Sequence, residues 1–404
     1  METGKQNAAT AQRRLKCGYF ILEGLNSFAF TLFFYYFYFF MQQQFGFGNK
    51  VNLMLAAASG LIYVPAAIVG GRFAQRAGYF TALKLGFAIL IASLAAGWLL
   101  MHSVAGCTIA MLMATVGICF AWPPLEAMVS EGETYAGLQK NVGIYNVVWA
   151  GTSALAYFTG GAMLEKLGLH SLFLVPLIFF VVQLALTVYL EHAAESAPRI
   201  EPVKEAPHPH SAAKTRSFLR MAWLSNPCAY IAINTLIAVM PTVAKRLELS
   251  TTLAGFSCSV WCFARLAAFF GFWFWTGWHY RFRWLLGAFL TLVASFTAAV
   301  LAPDLAVLVA AQLFFGVAIG LIYYSSLFYS MDVGETKGEH GGIHEAAIGL
   351  GNFPGPAIGA ITLQVLPGFA NGGVLAVSGL LSLGLLALVS IQLRGCKPDV
   401  AQAS

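Results

Sequence analysis

The residue whose chemistry stands out in this sequence is a single basic side chain inside a long apolar run. Arg265 lies near the middle of that run, deeper in an apolar segment than any other Lys or Arg of the sequence. A charged group in lipid is costly, so it turns toward protein, water or a ligand. A guanidinium there suits a carboxylate or phosphate on a solute, and it also suits a structural ion pair with a glutamate of another helix.

A second set of polar side chains follows helical spacing near the N-terminus. Glu23, Asn26, Ser27 and Phe30 lie on one face of an otherwise apolar segment. We expect this face to line an internal cavity, where a carboxylate can alternate between protonated and ionised forms. The alternative is that Glu23 only forms hydrogen bonds with neighbouring helices.

The densest polar cluster within an apolar segment is formed by His344, Glu345 and Asn352. Imidazole titrates near neutral pH, so the His–Glu pair suits proton coupling or a gate. Adjacent residues of a helix point about 100° apart, so we expect only one of the two to face a cavity.

Neutral polar and aromatic residues offer a further binding surface. Tyr323, Tyr324 and Ser325 present hydroxyl groups and rings that suit an organic solute. Two other groups are expected to have no part in binding. Glu126 is expected to be a solvated helix end, and the aromatic run 33–40 is expected to face lipid or the membrane interface.

No residue pattern of an enzyme or a metal site is found. Cys258 and Cys262 are one helical turn apart, but no His or second Cys pair accompanies them, which favours two small buried side chains over metal ligands. The sequence also lacks a nucleophile elbow and a phosphate loop. We therefore expect no catalytic residues, no metal and no cofactor.

The composition specifies which elements must position these side chains. Hydrophobic residues make up 59% of the 404 residues and charged residues 10%, whereas soluble domains carry roughly 25% charged residues. Apolar stretches of about 20 residues, each long enough to cross a bilayer as a helix, recur along the chain. The sequence predicts an all-α membrane protein with twelve transmembrane helices. The predicted spans are 18–41, 52–71, 81–101, 104–128, 142–164, 170–190, 218–243, 251–275, 283–302, 305–330, 342–366 and 371–393.

The spans fall into two sets of six that resemble each other. Gly132-Glu133-Thr134 recurs as Gly334-Glu335-Thr336, and other matches share nearly the same offset. A repeat in parallel orientation predicts two six-helix bundles related by a pseudo-two-fold axis. The predicted domains are an N-terminal segment 1–17, a bundle 18–190, a polar, Pro-rich linker 191–216, a bundle 217–394 and a tail 395–404.

The basic residues predict the orientation in the membrane. With the N-terminus inside, the cytoplasmic segments hold eighteen Lys and Arg residues and the opposite side holds four. Because cytoplasmic loops are enriched in Lys and Arg, we expect both termini and the linker in the cytoplasm. The expected location is the plasma (cytoplasmic or inner) membrane.

The segment between spans 2 and 3 carries a family motif. The segment 71–80 (GRFAQRAGYF) matches G-x-L-A-D-R-x-G-R-K at Gly71, Arg76 and Gly78, with Gln75 at the acidic position. In this motif, and over its whole length, the chain resembles the major facilitator superfamily of secondary transporters. The resemblance implies that Gly71, Arg76 and Gly78 form a gating loop that controls conformational switching.

The expected function is secondary active transport of a small organic solute by alternating access, coupled to protons as a symporter or antiporter. The alternative is a receptor or sensor that keeps the transporter fold without turnover. The expected partners are a small solute, protons or another coupling ion, and the lipid bilayer. Arg265 would suit an anionic solute. Nucleic acid is not expected, and the protein is expected to act as a monomer.

Overall fold

The structure, a computed structural model, describes residues 2–131, 135–195, 212–333 and 347–395. These described residues form α-helices and no strands, which confirms the all-α prediction. The helices are α1 (Glu2–Phe45), α2 (Asn49–Ala77), α3 (Tyr79–Leu99), α4 (Val104–Cys119), α5 (Trp122–Ser130), α6 (Tyr135–Leu167), α7 (Ser171–Glu195), α8 (Ala212–Arg246), α9 (Thr251–Cys258), α10 (Val260–Phe274), α11 (Phe282–Val300), α12 (Leu305–Val333), α13 (347–352), α14 (Pro354–Val365) and α15 (Gly372–Gly395).

Eleven candidate membrane spans lie within the described residues. Each is long and apolar enough to cross a bilayer, and each overlaps one of the predicted spans. The remaining predicted span, 342–366, begins outside the described residues and continues as α13 and α14. The chain is therefore an integral membrane protein of eleven to twelve spans.

Helices α1, α7 and α8 extend beyond the predicted apolar spans. Helix α1 begins at Glu2, so the expected N-terminal segment is continuous with the first span. Helix α7 runs to Glu195 and α8 begins at Ala212, so both ends of the expected linker 191–216 are helical. Strong helix formers such as Glu and Ala can continue a helix past the apolar region, because helix formation does not require lipid.

Three predicted spans are interrupted near their middles. Helix α5 begins at Trp122 with Pro123 and Pro124 in its first turn, where a missing N–H is tolerated. Helix α14 likewise begins at Pro354. Between α9 and α10 the hydroxyl of Ser259 donates to the Phe256 carbonyl oxygen at 3.0 Å, a local bond that competes with the helical ladder.

Helices that are distant in sequence pack closely around the interior. Helix α1 packs against α6 and α7, while α8 packs against α12 and α15. Contacts also join helices on either side of residues 196–211, between α6 and both α9 and α10, and between α2 and both α8 and α14. The interior therefore receives side chains from both parts of the chain.

Glycines allow the closest of these approaches. A Cβ on Gly161 of α6 would overlap the carbonyl oxygen of Thr251 at the start of α9. A Cβ on Gly60 of α2 would lie 2.6 Å from the backbone oxygen of Asn352. Small residues at such crossings let two helix backbones touch.

The glycines that precede and follow Pro354 form a small face, as the sequence predicts. A Cβ on Gly351 would lie 2.5 Å from the Pro227 carbonyl oxygen, and one on Gly355 would lie 2.7 Å from the Ile231 side chain, both on α8. On the next turn, Gly359 approaches Leu53 of α2. Helices α8 and α2 thus approach this face closely, as small residues allow.

Hydrogen bonds join the two parts of the chain at the end that carries the α1–α2 connection. Gln43 Nε2 donates to Thr251 Oγ1 at 2.8 Å, and Lys50 Nζ donates to Gln364 Oε1 at 3.1 Å. The backbone N–H of Thr252 donates to Glu165 Oε2 at 2.8 Å. Together with the Gly161 crossing, these bonds close this end of the molecule.

Candidate functional site

A cavity lies where helices from both parts of the chain meet. Its empty volume, counted out into open solvent, is about 670 Å³. Helices α1, α2, α5, α6, α8, α10, α12 and α13 contribute to its wall. The lining residues are Phe30, Thr31, Tyr35, Tyr63, Trp122, Glu126, Tyr145, Trp149, Ser153, Tyr230, Ile233, Asn234, Ile237, Arg265, Tyr323, Ile348 and Asn352.

Arg265 projects from α10 into this cavity wall and is only 1% exposed. Its guanidinium carbon lies 4.1 Å from the ring centroid of Trp149 and 5.0 Å from that of Trp261. Indole rings attract a cation at this range, most strongly where water is excluded. The Trp149 ring in turn stacks on Tyr323, with centroids 5.0 Å apart. The aromatic rings therefore stabilise the buried guanidinium.

The hydrogen-bonding edge of Arg265 stays available. Its Nε and Nη2 atoms are buried and have no hydrogen-bond partner among the described residues. Within the same described part of the chain, no carboxylate oxygen lies within 4.0 Å of its nitrogens. A buried donor that lacks a partner costs about 1–3 kcal/mol, and more when it is charged. This edge is consequently suited to a ligand.

Two amide side chains form a polar link across the cavity wall. Asn234 Nδ2 of α8 donates to Asn352 Oδ1 at 2.6 Å and to the Tyr230 carbonyl oxygen at 3.1 Å. Asn352 ends α13, directly before the break at Phe353 that Pro354 enforces. The break thus places an amide of the predicted polar cluster at the cavity.

The cavity wall also contains one carboxylate among its described residues. Glu126 of α5 lines the cavity and is half-buried, so the expectation of a solvated helix end is wrong. The physical reason is the interruption before Trp122, which separates α5 from α4 and brings both Trp122 and Glu126 to the interior. The wall thereby combines one cation with one acid.

Sequence and structure comparisons identify the family. A sequence model of the Major Facilitator Superfamily matches residues 19–356. The chain belongs to this superfamily. It is accordingly a membrane transporter and not an enzyme. No curated protein matches the sequence.

Solved structures share the fold at low sequence identity. An auto-inhibited POT family peptide transporter is similar with a TM-score of 0.75 and 12% identity, covering 97% of this chain and 99% of that chain. The human organic anion transporter MFSD10 (TETRAN) has a TM-score of 0.64 and 16% identity, covering 93% and 99%. The nucleoside transporter NupG has a TM-score of 0.66 and 12% identity, covering 93% and 99%. These likenesses concern the fold.

The polar face of α1 lies outside the lining of this transporter's cavity. Glu23 and Asn26 are fully buried, and Ser27 Oγ donates to Glu23 Oε1 at 2.6 Å. Of the expected face, only Phe30 lines the cavity. Of the two expected partners of Arg265, Glu23 forms no ion pair with it among the described residues, and the His344–Glu345 pair lies outside them.

The other predicted site residues divide into three groups. Arg265, Tyr323 and Asn352 line the cavity. Tyr324 packs beside it against Phe269 and Trp278, and Ser325 donates its hydroxyl to the Ile322 carbonyl oxygen at 2.9 Å, so neither belongs to the lining. The remaining two predicted site residues, which lie outside the described residues, are His344 and Glu345.

The expected gating loop joins α2 to α3 away from the cavity. Gly78 has φ +92° and separates the two helices, a conformation that favours glycine. Arg76 is exposed in the last turn of α2, and Gly71 precedes it on the same helix. The position of these residues does not test their expected role in conformational switching, which stays a prediction.

The aromatic wall is what sequence reasoning missed. The expectation that the run 33–40 faces lipid is wrong, because Phe33, Tyr36 and Phe40 are at most 1% exposed, and Tyr35 of the same run lines the cavity. On α6 the sequence contains a pattern that could have predicted part of this wall. The spacing of four residues places three of the lining side chains on one helical face, namely Tyr145, Trp149 and Ser153.

Proposed function

We propose that this protein is a secondary active transporter that carries a small organic solute by alternating access, with the Arg265 cavity as its solute site. The observation that carries the proposal is the cavity wall, to which helices before and after residues 196–211 both contribute. In the proposed arrangement, segments 18–190 and 217–394 form two six-helix bundles that rock against each other around the solute.

The closed end of the molecule supports one state of such a cycle. The Gln43–Thr251 and Lys50–Gln364 hydrogen bonds and the Gly161 crossing each join one proposed bundle to the other. Opening this end requires these contacts to separate together. We propose that both termini and the linker lie in the cytoplasm of a cell bounded by the plasma membrane, which puts the closed end outside, and that the protein works as a monomer.

We propose that transport is coupled to protons and that Glu126 carries the proton. Glu126 is the carboxylate of the described cavity lining, and it shares that lining with Arg265. Protonation removes the negative charge of Glu126. Binding of a proton and binding of a solute can therefore both change the net charge of the closed cavity. The buried Glu23 and the His344–Glu345 pair remain alternative coupling groups.

The experiment begins with the full-length protein purified in detergent and a thermal-shift screen of organic anions, cations and neutral solutes, because a ligand that binds the folded state raises the melting temperature. Solutes that bind are then tested for uptake into proteoliposomes that contain a trapped pH-sensitive dye. We expect solute-dependent proton movement. Binding without solute movement would indicate a receptor or sensor with a transporter fold.

A matched pair of variants tests the role of Glu126. We expect Glu126→Gln to abolish solute-driven proton movement and to retain solute exchange, because exchange does not require the proton to leave. Glu131→Gln is the control, since Glu131 caps the end of the same helix and is exposed outside the cavity lining. Unchanged proton movement in Glu126→Gln would assign the coupling to another group.

A further inference from the structure

We infer that the Nε–Nη2 edge of Arg265 binds the carboxylate of a small monoanionic solute whose apolar body lies against the aromatic cavity wall. This inference rests on the proposed transport function and specifies the class of solute. Its starting point is the pair of adjacent buried donors, which have no partner within the described part of the chain.

The geometry of a guanidinium limits what can bind there. Nε–H and one terminal N–H point in the same direction in one plane, and a carboxylate accepts from both through its two oxygens. The Arg265 guanidinium carbon lies over the rings of Trp149 and Trp261, 4.1 and 5.0 Å from their centroids. A ligand that accepts from both buried donors lies in the plane of the guanidinium, which favours a flat anion.

The charge of the wall favours a single negative charge on the solute. Among the described lining residues Arg265 is the sole Lys or Arg, and Glu126 is the sole acid. When Glu126 is protonated, a monocarboxylate compensates the charge of Arg265, whereas a dianion such as a phosphate monoester brings a second charge that this wall does not compensate. The same reasoning disfavours dicarboxylates.

The rest of the wall fits an apolar body. Trp149 and Tyr323 stack with an interplanar angle of 28°, and Tyr35 stacks on Trp261 with centroids 6.2 Å apart. Three branched aliphatic side chains add to this surface, namely Ile233, Ile237 and Ile348. Rings and branched chains of a solute gain from such contact. Aromatic and branched-chain monocarboxylates are the solutes that match both the edge and the wall.

The first test uses wild-type protein and needs no variant. Binding of acetate, isovalerate, benzoate and phenylacetate to the full-length protein is measured by isothermal titration calorimetry, alongside benzamide, methyl benzoate, phthalate and phenyl phosphate. We expect benzoate or phenylacetate to bind at least tenfold more tightly than benzamide, methyl benzoate, phthalate or phenyl phosphate. Equal binding of benzamide, tighter binding of phenyl phosphate, or no binding of any of the four monocarboxylates would overturn the inference.

The second test distinguishes the contribution of the paired Arg265 donors from that of its positive charge. Arg265→Lys keeps the charge and loses the planar pair of donors, so we expect at least a tenfold loss of benzoate affinity and little change for benzamide. Arg246→Lys is the matched control, because Arg246 Nη2 donates to the Val300 and Ala302 carbonyl oxygens outside the cavity lining. Full benzoate affinity in a folded Arg265→Lys would overturn the inference, and if that variant does not fold, the wild-type series decides.

The two proposals fail in different ways. Tight benzoate binding without benzoate exchange in proteoliposomes would contradict transport and leave the carboxylate site standing. Exchange of a neutral solute, combined with no binding of the monocarboxylates, would contradict the carboxylate site and leave transport standing.

Discussion

The contact between Gly161 and Thr251 gives the sharpest prediction about conformational change. Helices α6 and α9 cross so closely here that a Cβ on Gly161 would overlap the Thr251 carbonyl oxygen. Backbone cannot yield as a flexible side chain does, so Gly161→Ala must push the crossing apart whenever this end is closed. The same methyl group has no such clash when the two helices separate. The substitution is therefore expected to destabilise the closed end selectively.

The size of the effect follows from the cost of overpacking. One methyl group forced into a packed contact costs typically about 1–3 kcal/mol. An energy difference of this size changes the ratio of two conformations by about 5- to 150-fold. A closed form that dominates in the wild type would therefore share the population with the open form, or become the minority, in Gly161→Ala.

Distances between spin labels across the closed end measure this shift. Labels at Gly48→Cys and Gly368→Cys lie on the two sides of the end, both positions are exposed, and a Cβ at either would meet no heavy atom within 4 Å. Cys17 is exposed and is replaced by Ser, together with Cys396, whereas the other described cysteines are buried. Pulsed electron paramagnetic resonance is expected to give a short distance in the parent protein and a larger population of long distances in Gly161→Ala.

A matched glycine controls for general effects of the substitution. A Cβ on Gly287 of α11 would meet no heavy atom within 4 Å, so Gly287→Ala is expected to leave the distances unchanged. An unaltered distance distribution in a folded Gly161→Ala would refute the argument that this crossing closes the end of the molecule.

The remaining predictions concern the loop, the amide link and the orientation. Arg76→Ala is expected to lower the rate of solute exchange more than solute affinity, because Arg76 lies outside the cavity lining, and the reverse pattern would contradict a gating role. Asn352→Ala removes the bond from Asn234, so we expect a loss of about 1 kcal/mol in the free energy of unfolding. Thermal unfolding checks this value, and unchanged stability would show that the bond contributes nothing. A Glu205→Cys probe is expected to resist an impermeant thiol reagent in intact cells, and its labelling there would reverse the topology.

The sequence predicted the positions of the helices well, but it predicted poorly which side chains of a helix face the interior. Apolar runs located the membrane helices, because crossing lipid requires length and low charge whatever the packing. The small face of Gly351, Gly355 and Gly359 was also readable, since close backbone approach needs small residues. The inward position of Arg265 was predicted for the same kind of reason, because lipid offers an arginine no partner.

Helix rotation was harder to predict, and the aromatic residues illustrate why. Membrane helices are apolar on both the lipid side and the packed side, so hydrophobic periodicity does not distinguish the buried ring of Phe37 from one that faces lipid. Glu126 was misjudged for a different reason. Its position depends on the interruption between α4 and α5, which the Pro123–Pro124 pair signals in the sequence but whose direction only the fold determines.

Solute counterflow is the measurement that tests the account most directly. Proteoliposomes are loaded with the tightest-binding solute of the screen and diluted into a trace of the same solute carrying a radioactive label. A carrier whose single site alternates between the two sides is predicted to accumulate label transiently above equilibrium, and Arg265→Gln and protein-free liposomes are predicted not to. Label that only equilibrates in the wild type, or an overshoot that persists at full size in a folded Arg265→Gln, would contradict transport through the Arg265 cavity.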